Sequence, residues 1–317
     1  MGIRSRPWFI ALAISAIVAV SGGCGDSESP IGGNETGTST DATNSVMIGS
    51  ANFPESETVA SIYAAALRAN GFDVSTKLNI GSREAYMPAL NDGSIDVIPD
   101  YTGNLLLYLD PNATASSSPD VAAALTKAIG PDLVLGTPAP GEDKDAVVVT
   151  KETADRWQLT AIGDLASHSA EIKFAGPPEF AERPAGLPGL AAKYGVIVAP
   201  QNFVPIADGG GPATVDALAK GDVTAANIFT TSPSIKENNF VVLADPANNF
   251  PAQNVIPVVR NEKYSPKLMA VLNAVSQKLT TDELIALNTQ VSGDSKTEPD
   301  DAAQEWILAH QLDKPLG

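Results

Sequence analysis

At 317 residues the chain is long for one core and comfortable for two lobes, and a 44% hydrophobic, 18% charged composition marks it as globular over most of its length. Its formal charge of −17 argues against nucleic acid and anionic headgroups as partners, because a surface of that sign repels both. A single cysteine excludes an internal disulfide, and two histidines far apart, His168 and His310, signal no metal site.

Arg4 and Arg6 precede the apolar run from Trp8 to Val20, and Ser21, Gly22 and Gly23 lead to Cys24. That is the anatomy of an export signal over residues 1–23, too short for a comfortable membrane span. The setting of Cys24 resembles the bacterial lipobox, although Ser21 stands where that pattern favours Leu. The resemblance implies cleavage before Cys24, acylation of its thiol, and tethering to the outer face of the cytoplasmic membrane; a dispensable cysteine in an ordinary signal is the plainer reading. Residues 24–45, rich in Gly, Ser, Thr, Asn and Asp, predict a flexible tether. Without Arg4 and Arg6, 18 basic side chains face 37 acidic ones, a charge of −19.

Val46 to Gly49 predicts a strand, and Pro54 opens a helix whose apolar spacing, Val59, Ile62, Tyr63, Ala66 and Leu67, ends near Asn70 and Gly71. The loop between them offers Ser50, Asn52, Ser56 and free helix amides. A strand from Phe72 to Asn79 and a helix from Ser82 to Asn91 lead to the buried-type strand at Ile95, an alternation that calls for a parallel or mostly parallel sheet covered by helices. Pro99 and Gly103 should force the chain out of that sheet into a turn, holding Tyr101 and Thr102 at the strand's carboxyl end, where open α/β sheets bind ligands. The alternative is a core tyrosine beside a loop glycine.

A helix from Ser118 to Ile129, irregular chain from Leu133 to Pro140, and a strand from Ala146 to Thr150 follow. Next come helical Glu152 to Trp157, strands at Glu171 to Phe174 and Val196 to Val198, a broken helix between Glu179 and Tyr194, and a helix from Gly209–Gly211 to Lys220. Strands at Phe240 to Leu243 and Asn254 to Val259 precede three helices, Pro266 to Lys278, Asp282 to Val291 and Asp300 to Gln311. Within this order a pattern repeats. Ala89-Leu90-x-x-Gly93 before Tyr101-Thr102 matches Ala217-Leu218-x-x-Gly221 before Phe229-Thr230 at an offset of 128 residues, so Tyr101 and Phe229 are expected on opposite walls of one cleft. Chance similarity in an alanine-rich chain is the competing explanation. Crossings near Ala146 and Asn254 predict two α/β lobes, 46–145 with 254–317 and 146–253, joined by a two-strand hinge.

The chain lacks a nucleophile elbow, a phosphate-binding glycine loop and a dinucleotide fingerprint, so no enzyme, cofactor or metal is expected. The pairs Glu142 with Asp143 and Asp300 with Asp301 read as solvated acids in loops.

Gly49-Ser50-Ala51-Asn52-Phe53-Pro54-Glu55, the Ala89 to Asp96 segment, Pro99-Asp100-Tyr101-Thr102-Gly103, and the set Phe174, Pro178-Glu179-Phe180, Arg183, Gly186-Leu187, Gly189-Leu190, Tyr194-Gly195 and Phe250-Pro251 form an ordered series. The series resembles the extracytoplasmic binding proteins of osmoprotectant ABC importers, which take glycine betaine, choline and carnitine. The resemblance implies a type II-like periplasmic-binding-protein fold, a small-molecule ligand, an ABC permease as partner, and action without catalysis. We also expect a monomer.

It further implies a cage of tyrosines holding a quaternary ammonium by cation–π attraction, roughly 0.5 to 2 kcal/mol per ring. Tyr101 matches the first cage tyrosine. Asp145, Phe229 and Gln253 stand where the others are expected, Asn104 replaces a Thr, Ser56 a Gln and Ala51 a Lys. The candidate ligand contacts are therefore Tyr101, Phe229, Asp145, Gln253, Asn104, Ser56, Asn52, Thr230 and Arg183. Asp145 could equally be an exposed loop acid, and Arg183 either assists closure or is a surface arginine. The depleted cage leaves open a non-quaternary polar or hydroxylated aromatic ligand.

Overall fold

A computed structural model describes residues 44–293 and 295–316, so the expected signal sequence, Cys24 and nearly all of the tether lie outside the described residues. The chain begins with β1 (Ser45–Gly49), α1 (Pro54–Ala69), β2 (Asp73–Lys77), α2 (Arg83–Asn91), β3 (Val97–Tyr101), α3 (Thr102–Leu109), α4 (Ser118–Ala128) and β4 (Leu133–Leu135). It continues with β5 (Asp145–Val149), α5 (Lys151–Trp157), β6 (Phe174–Gly176), α6 (Leu187–Tyr194), β7 (Phe203–Pro205), α7 (Pro212–Ala219), β8 (Ala225–Phe229), α8 (Ser234–Glu237) and β9 (Val241–Val242). It ends with β10 (Val255–Arg260), α9 (Pro266–Ser276), α10 (Thr281–Ser292) and α11 (Pro299–Ala309).

Two sheets result, ordered β2-β1-β3-β10-β4 and β7-β6-β8-β5-β9, and each is the base of an α/β lobe. Both are mixed rather than mostly parallel. In the first, β1 pairs parallel with β2 and β3, whereas β10 runs antiparallel to β3 and β4. The returning strand enters from the other lobe and must therefore run against its neighbours. The second sheet repeats the scheme, with β6 parallel to β7 and β8, and β5 antiparallel to β8 and β9. Strands β3 and β8 thus hold the same central place, 128 positions apart, in agreement with the sequence repeat.

Between the sheets the chain passes twice, and the two passages lie side by side. Glu142 bridges Asn254 in antiparallel fashion, and the Asp143 amide donates to the Gln253 carbonyl at 3.1 Å.

Helix α1 is buried on nearly every side, from Val59 through Leu67, because it lies between the first sheet and helices α9, α10 and α11. Its alanines let those neighbours approach closely, and its one buried phenol, Tyr63, is satisfied by the Ser276 hydroxyl at 3.0 Å.

Several local expectations change. Pro99 does not end its strand; it sits inside β3 opposite Pro257, whose carbonyl accepts from Gly136 on the far side, so the two prolines meet where the ladder uses no N–H. After Tyr101 the chain enters α3 at once instead of a turn. Leu133 to Leu135 forms an edge strand on β10. Val196 to Val198 forms no strand; Gly195 caps α6 in the left-handed region, and the strand that pairs with β6 is Phe203–Pro205. His168 and His310 stack on Trp157 and Trp306, at 4.2 and 4.1 Å between ring centroids.

Gly103 lies in the first turn of α3 against the second passage. A Cβ there would meet the Ala252 carbonyl oxygen at 2.5 Å and Pro251 Cγ at 2.7 Å. Gly103→Ala should therefore destabilise the protein by about 1–3 kcal/mol, the usual range for overpacking, as read from the urea midpoint; an unchanged midpoint would show that the passage can shift freely.

Candidate ligand-binding cleft

Strands β3 and β8 end at equivalent places, Tyr101 opposite Val255 and Phe229 opposite Asp145, so each lobe delivers one aromatic ring at the exit of its central strand. A third ring closes the group. Phe53, at the N-terminal boundary of α1, lies 5.8 Å from Tyr101 and 5.2 Å from Phe229 between centroids, the latter edge to face. Gly209 makes this approach possible: its φ of +61° suits glycine, and a Cβ would come within 2.9 Å of Phe53 Cβ. The three rings line a small cavity of about 50 Å³ together with Asn52, Arg83, Asn104, Asp143, Asp145 and Arg183.

Polar groups fix the floor. Asp145 is buried and accepts from Asn104 Nδ2 at 2.7 Å and Asn227 Nδ2 at 3.1 Å. Gln253, wholly enclosed, accepts the Asn104 amide at 2.9 Å through its Oε1 and so orients that residue from behind. Arg83 grips Asp100 through two nitrogens, Nη2 at 2.5 Å and Nε at 3.2 Å, and Asp100 also takes the Tyr101 amide at 2.7 Å. Across the mouth, Arg183 of the second lobe donates to Glu84 of the first at 2.8 and 3.1 Å. Partial burial raises the Glu84 carboxyl, but the Arg183 guanidinium outweighs it and holds that pKa at about 2.

Beneath the rings lies a feature the sequence did not signal. Glu55, only 4% exposed, accepts from the Tyr101 hydroxyl at 2.7 Å, the Thr231 hydroxyl at 2.7 Å and Asn288 Nδ2 at 2.6 Å. Asp143 adjoins it, likewise 4% exposed, and accepts the Thr231 amide at 3.0 Å. The reading of Asp143 as a solvated loop acid is therefore corrected: the antiparallel pairing of the two passages carries it inward. Burial raises the pKa of both carboxyls, Asp143 by the further repulsion of Glu55, and the hydrogen bonds only partly oppose this. The Tyr101 phenol, pushed up by burial and by Glu55, stays protonated and donates.

The nine expected contacts divide. Tyr101, Phe229, Asp145, Asn104, Asn52 and Arg183 come together around the cavity. Gln253, Ser56 and Thr230 stand outside its lining: Ser56 is buried and accepts the Ala51 amide at 2.9 Å, and the exposed Thr230 accepts the Lys144 amide at 2.9 Å. Phe53, Arg83 and Glu55 were not among them. An aromatic residue at a helix N-cap, where Ser, Thr, Asp or Asn is favoured, was the available signal for Phe53.

Because the folded-state pKa values of Glu55 and Asp143 lie above their unfolded values, the native state holds extra protons between the two, and this pair stabilises the fold less as pH rises. Asp143→Asn keeps an acceptor for Thr231 and removes one titrating carboxyl. Its melting temperature should fall less steeply than that of the unaltered protein between about pH 5 and pH 8; parallel curves would show that the pair does not titrate there.

Comparison with known proteins places these features. A family model, OpuAC, the substrate binding domain of the ABC-type glycine betaine transport system, matches residues 44–309. The glycine-betaine-binding protein of Pseudomonas aeruginosa PAO1 is 29% identical over 281 residues, 84% of this chain and 88% of that one. Glycine betaine-binding protein YehZ of Escherichia coli K12 is 26% identical over 262 residues, covering 79% and 86%. A solved glycine betaine/carnitine/choline ABC transporter structure superposes with a TM-score of 0.66 at 23% identity, covering 85% of this chain and 100% of the other, a likeness of fold. With the family model spanning most of its length, the chain belongs to the OpuAC family, the substrate-binding domains of ABC-type glycine betaine transport systems.

Proposed function

We propose that this protein is an extracytoplasmic receptor that captures a small solute with a quaternary-ammonium head, of the glycine betaine or choline type, and delivers it to an ABC permease. The observation that carries this reading is the meeting of Phe53, Tyr101 and Phe229 at the lobe boundary, with Asp143 and Asp145 beside them. Ring faces attract a cation that has lost its water, and the Asp145 carboxylate of the same cavity reinforces that sign. The relatives named as glycine betaine-binding proteins support the choice of ligand class.

Capture is by closure of two lobes, 46–145 with 254–317 against 146–253, about the paired passages. Arg183 with Glu84, and Thr231 with Glu55, are the contacts that closing makes and opening breaks. No bond of the solute is made or cleaved, and the protein acts as a monomer. Acylation of Cys24 would hold it at the membrane beside its permease.

Calorimetric titration with choline and glycine betaine tests the reading. Phe229→Ala should weaken binding of whichever ligand is taken by roughly twofold to thirtyfold, the worth of one ring, without loss of the folded circular dichroism signal, since Phe229 is only half-buried. Tyr101→Phe keeps the ring and should bind within a fewfold of the unaltered protein. Unchanged affinity in Phe229→Ala would remove the ring from the site.

A further inference from the structure

Behind the three rings lies a further small cavity of about 60 Å³, with Glu55, Asp143 and Asn288 on one side and residues 209–212, Phe229 and residues 231–234 on the other. The first side belongs to the first lobe and the passage out of it, the other to the second lobe, so closing the cleft is what covers the two acids. Glu55 and Asp143 are the only charged side chains among the described residues that line this cavity.

The hydrogen bonds at the pair leave one place for a proton. Glu55 accepts at both oxygens, from the Tyr101 hydroxyl through Oε1 and from Thr231 and Asn288 through Oε2. Asp143 accepts at Oδ1, from the Thr231 amide at 3.0 Å and the Thr230 hydroxyl at 3.4 Å, and its carboxyl lies within hydrogen-bonding reach of Glu55. Asp143 Oδ2 can therefore carry a proton and donate it to Glu55. Two ionised carboxylates in the same contact would repel each other in a site from which water has been removed.

The surrounding charges do not relieve that repulsion. Asp145 adds to it at Asp143. Across the ring cavity Arg83 is engaged with Asp100, and Arg183 with Glu84 at 2.8 Å and Glu179 at 3.5 Å, while Lys144 turns to Glu142 at 3.8 Å. Helix α10 and the segments of the second lobe bring hydroxyls, an amide and glycines to the cavity, and no further acid or base. When the lobes part, water reaches both acids and they return toward ordinary carboxylate behaviour.

We propose that Glu55 and Asp143 share one proton in the closed cleft, taken from solvent on closing and returned to it on opening, so that solute capture is tighter in acid than in alkali. This rests on the reading of lobe closure as the step of capture and adds its regulation.

Calorimetric titration with glycine betaine, which has no net charge and does not titrate between about pH 6 and pH 8, tests it. Across that range affinity should fall at least threefold, within the roughly tenfold per pH unit that one proton allows, and the heats in two buffers of different ionisation enthalpy should show net proton uptake on binding. Asp143→Asn presents an oxygen to the Thr231 amide and a nitrogen to Glu55, the arrangement that the shared proton makes, and Glu55→Gln removes the other carboxyl. In both variants, checked for a native circular dichroism signal, the slope and the proton uptake should vanish. Affinity independent of pH in the unaltered protein, or proton uptake that persists in either variant, would overturn the shared proton and leave the solute site standing. Failure of glycine betaine to bind at either pH would fell the solute reading and this proposal with it.

Discussion

One carboxylate organises the centre of the molecule. Glu55 is taken out of water at the start of α1, and a buried carboxyl of this kind persists only if its oxygens find partners. The donors come from distant parts of the chain: Tyr101 at the end of β3, Thr231 beyond β8, and Asn288 on α10. The first lobe, the second lobe and the C-terminal helices are thereby tied to one group. Asp143 adds a second acid beside it, whose pKa burial and the nearness of Glu55 raise, and the Thr231 hydroxyl and amide serve Glu55 and Asp143 respectively.

Around this centre the two sheets are variations on one plan. Each has a central strand ending in an aromatic residue, and each is crossed by an antiparallel strand that arrives from the other lobe. Facing the two strand ends toward each other creates a seam with a ring on either side, and Phe53 fills the gap between them. The cavity between the two strand ends follows from the topology.

Charges around that cavity are set by pairing more than by composition. Arg83 and Arg183 both lie in the cleft, and each is held by an acid through its Nε and Nη2. The Arg183 to Glu84 pair spans the lobes near the mouth and is partly exposed, which limits it to about 0–1 kcal/mol.

The α/β alternation, the repeat at an offset of 128 and the strand-end places of Tyr101 and Phe229 were legible in the amino-acid order, because periodicity and strand-end position are local properties; Asn104, Asp145 and Arg183 were reached only through the resemblance to a family. What was not legible depended on which segments pack together. Pro99 reads as a strand breaker until Pro257 is seen opposite it, and Leu133 to Leu135 reads as loop until β10 lies alongside. Glu142 and Asp143 look alike in sequence, and only the pairing of the two passages sends the second inward to Glu55. Ser56 looks like a ligand contact beside Asn52, yet the first turn of α1 rotates its hydroxyl onto the Ala51 amide. The sequence alone determined most of the elements, their duplication and the sign of the surface, since these arise from neighbours along the chain. Only the tertiary structure decided which acids are buried and which cations are already paired, because burial and pairing are made by residues far apart in the chain.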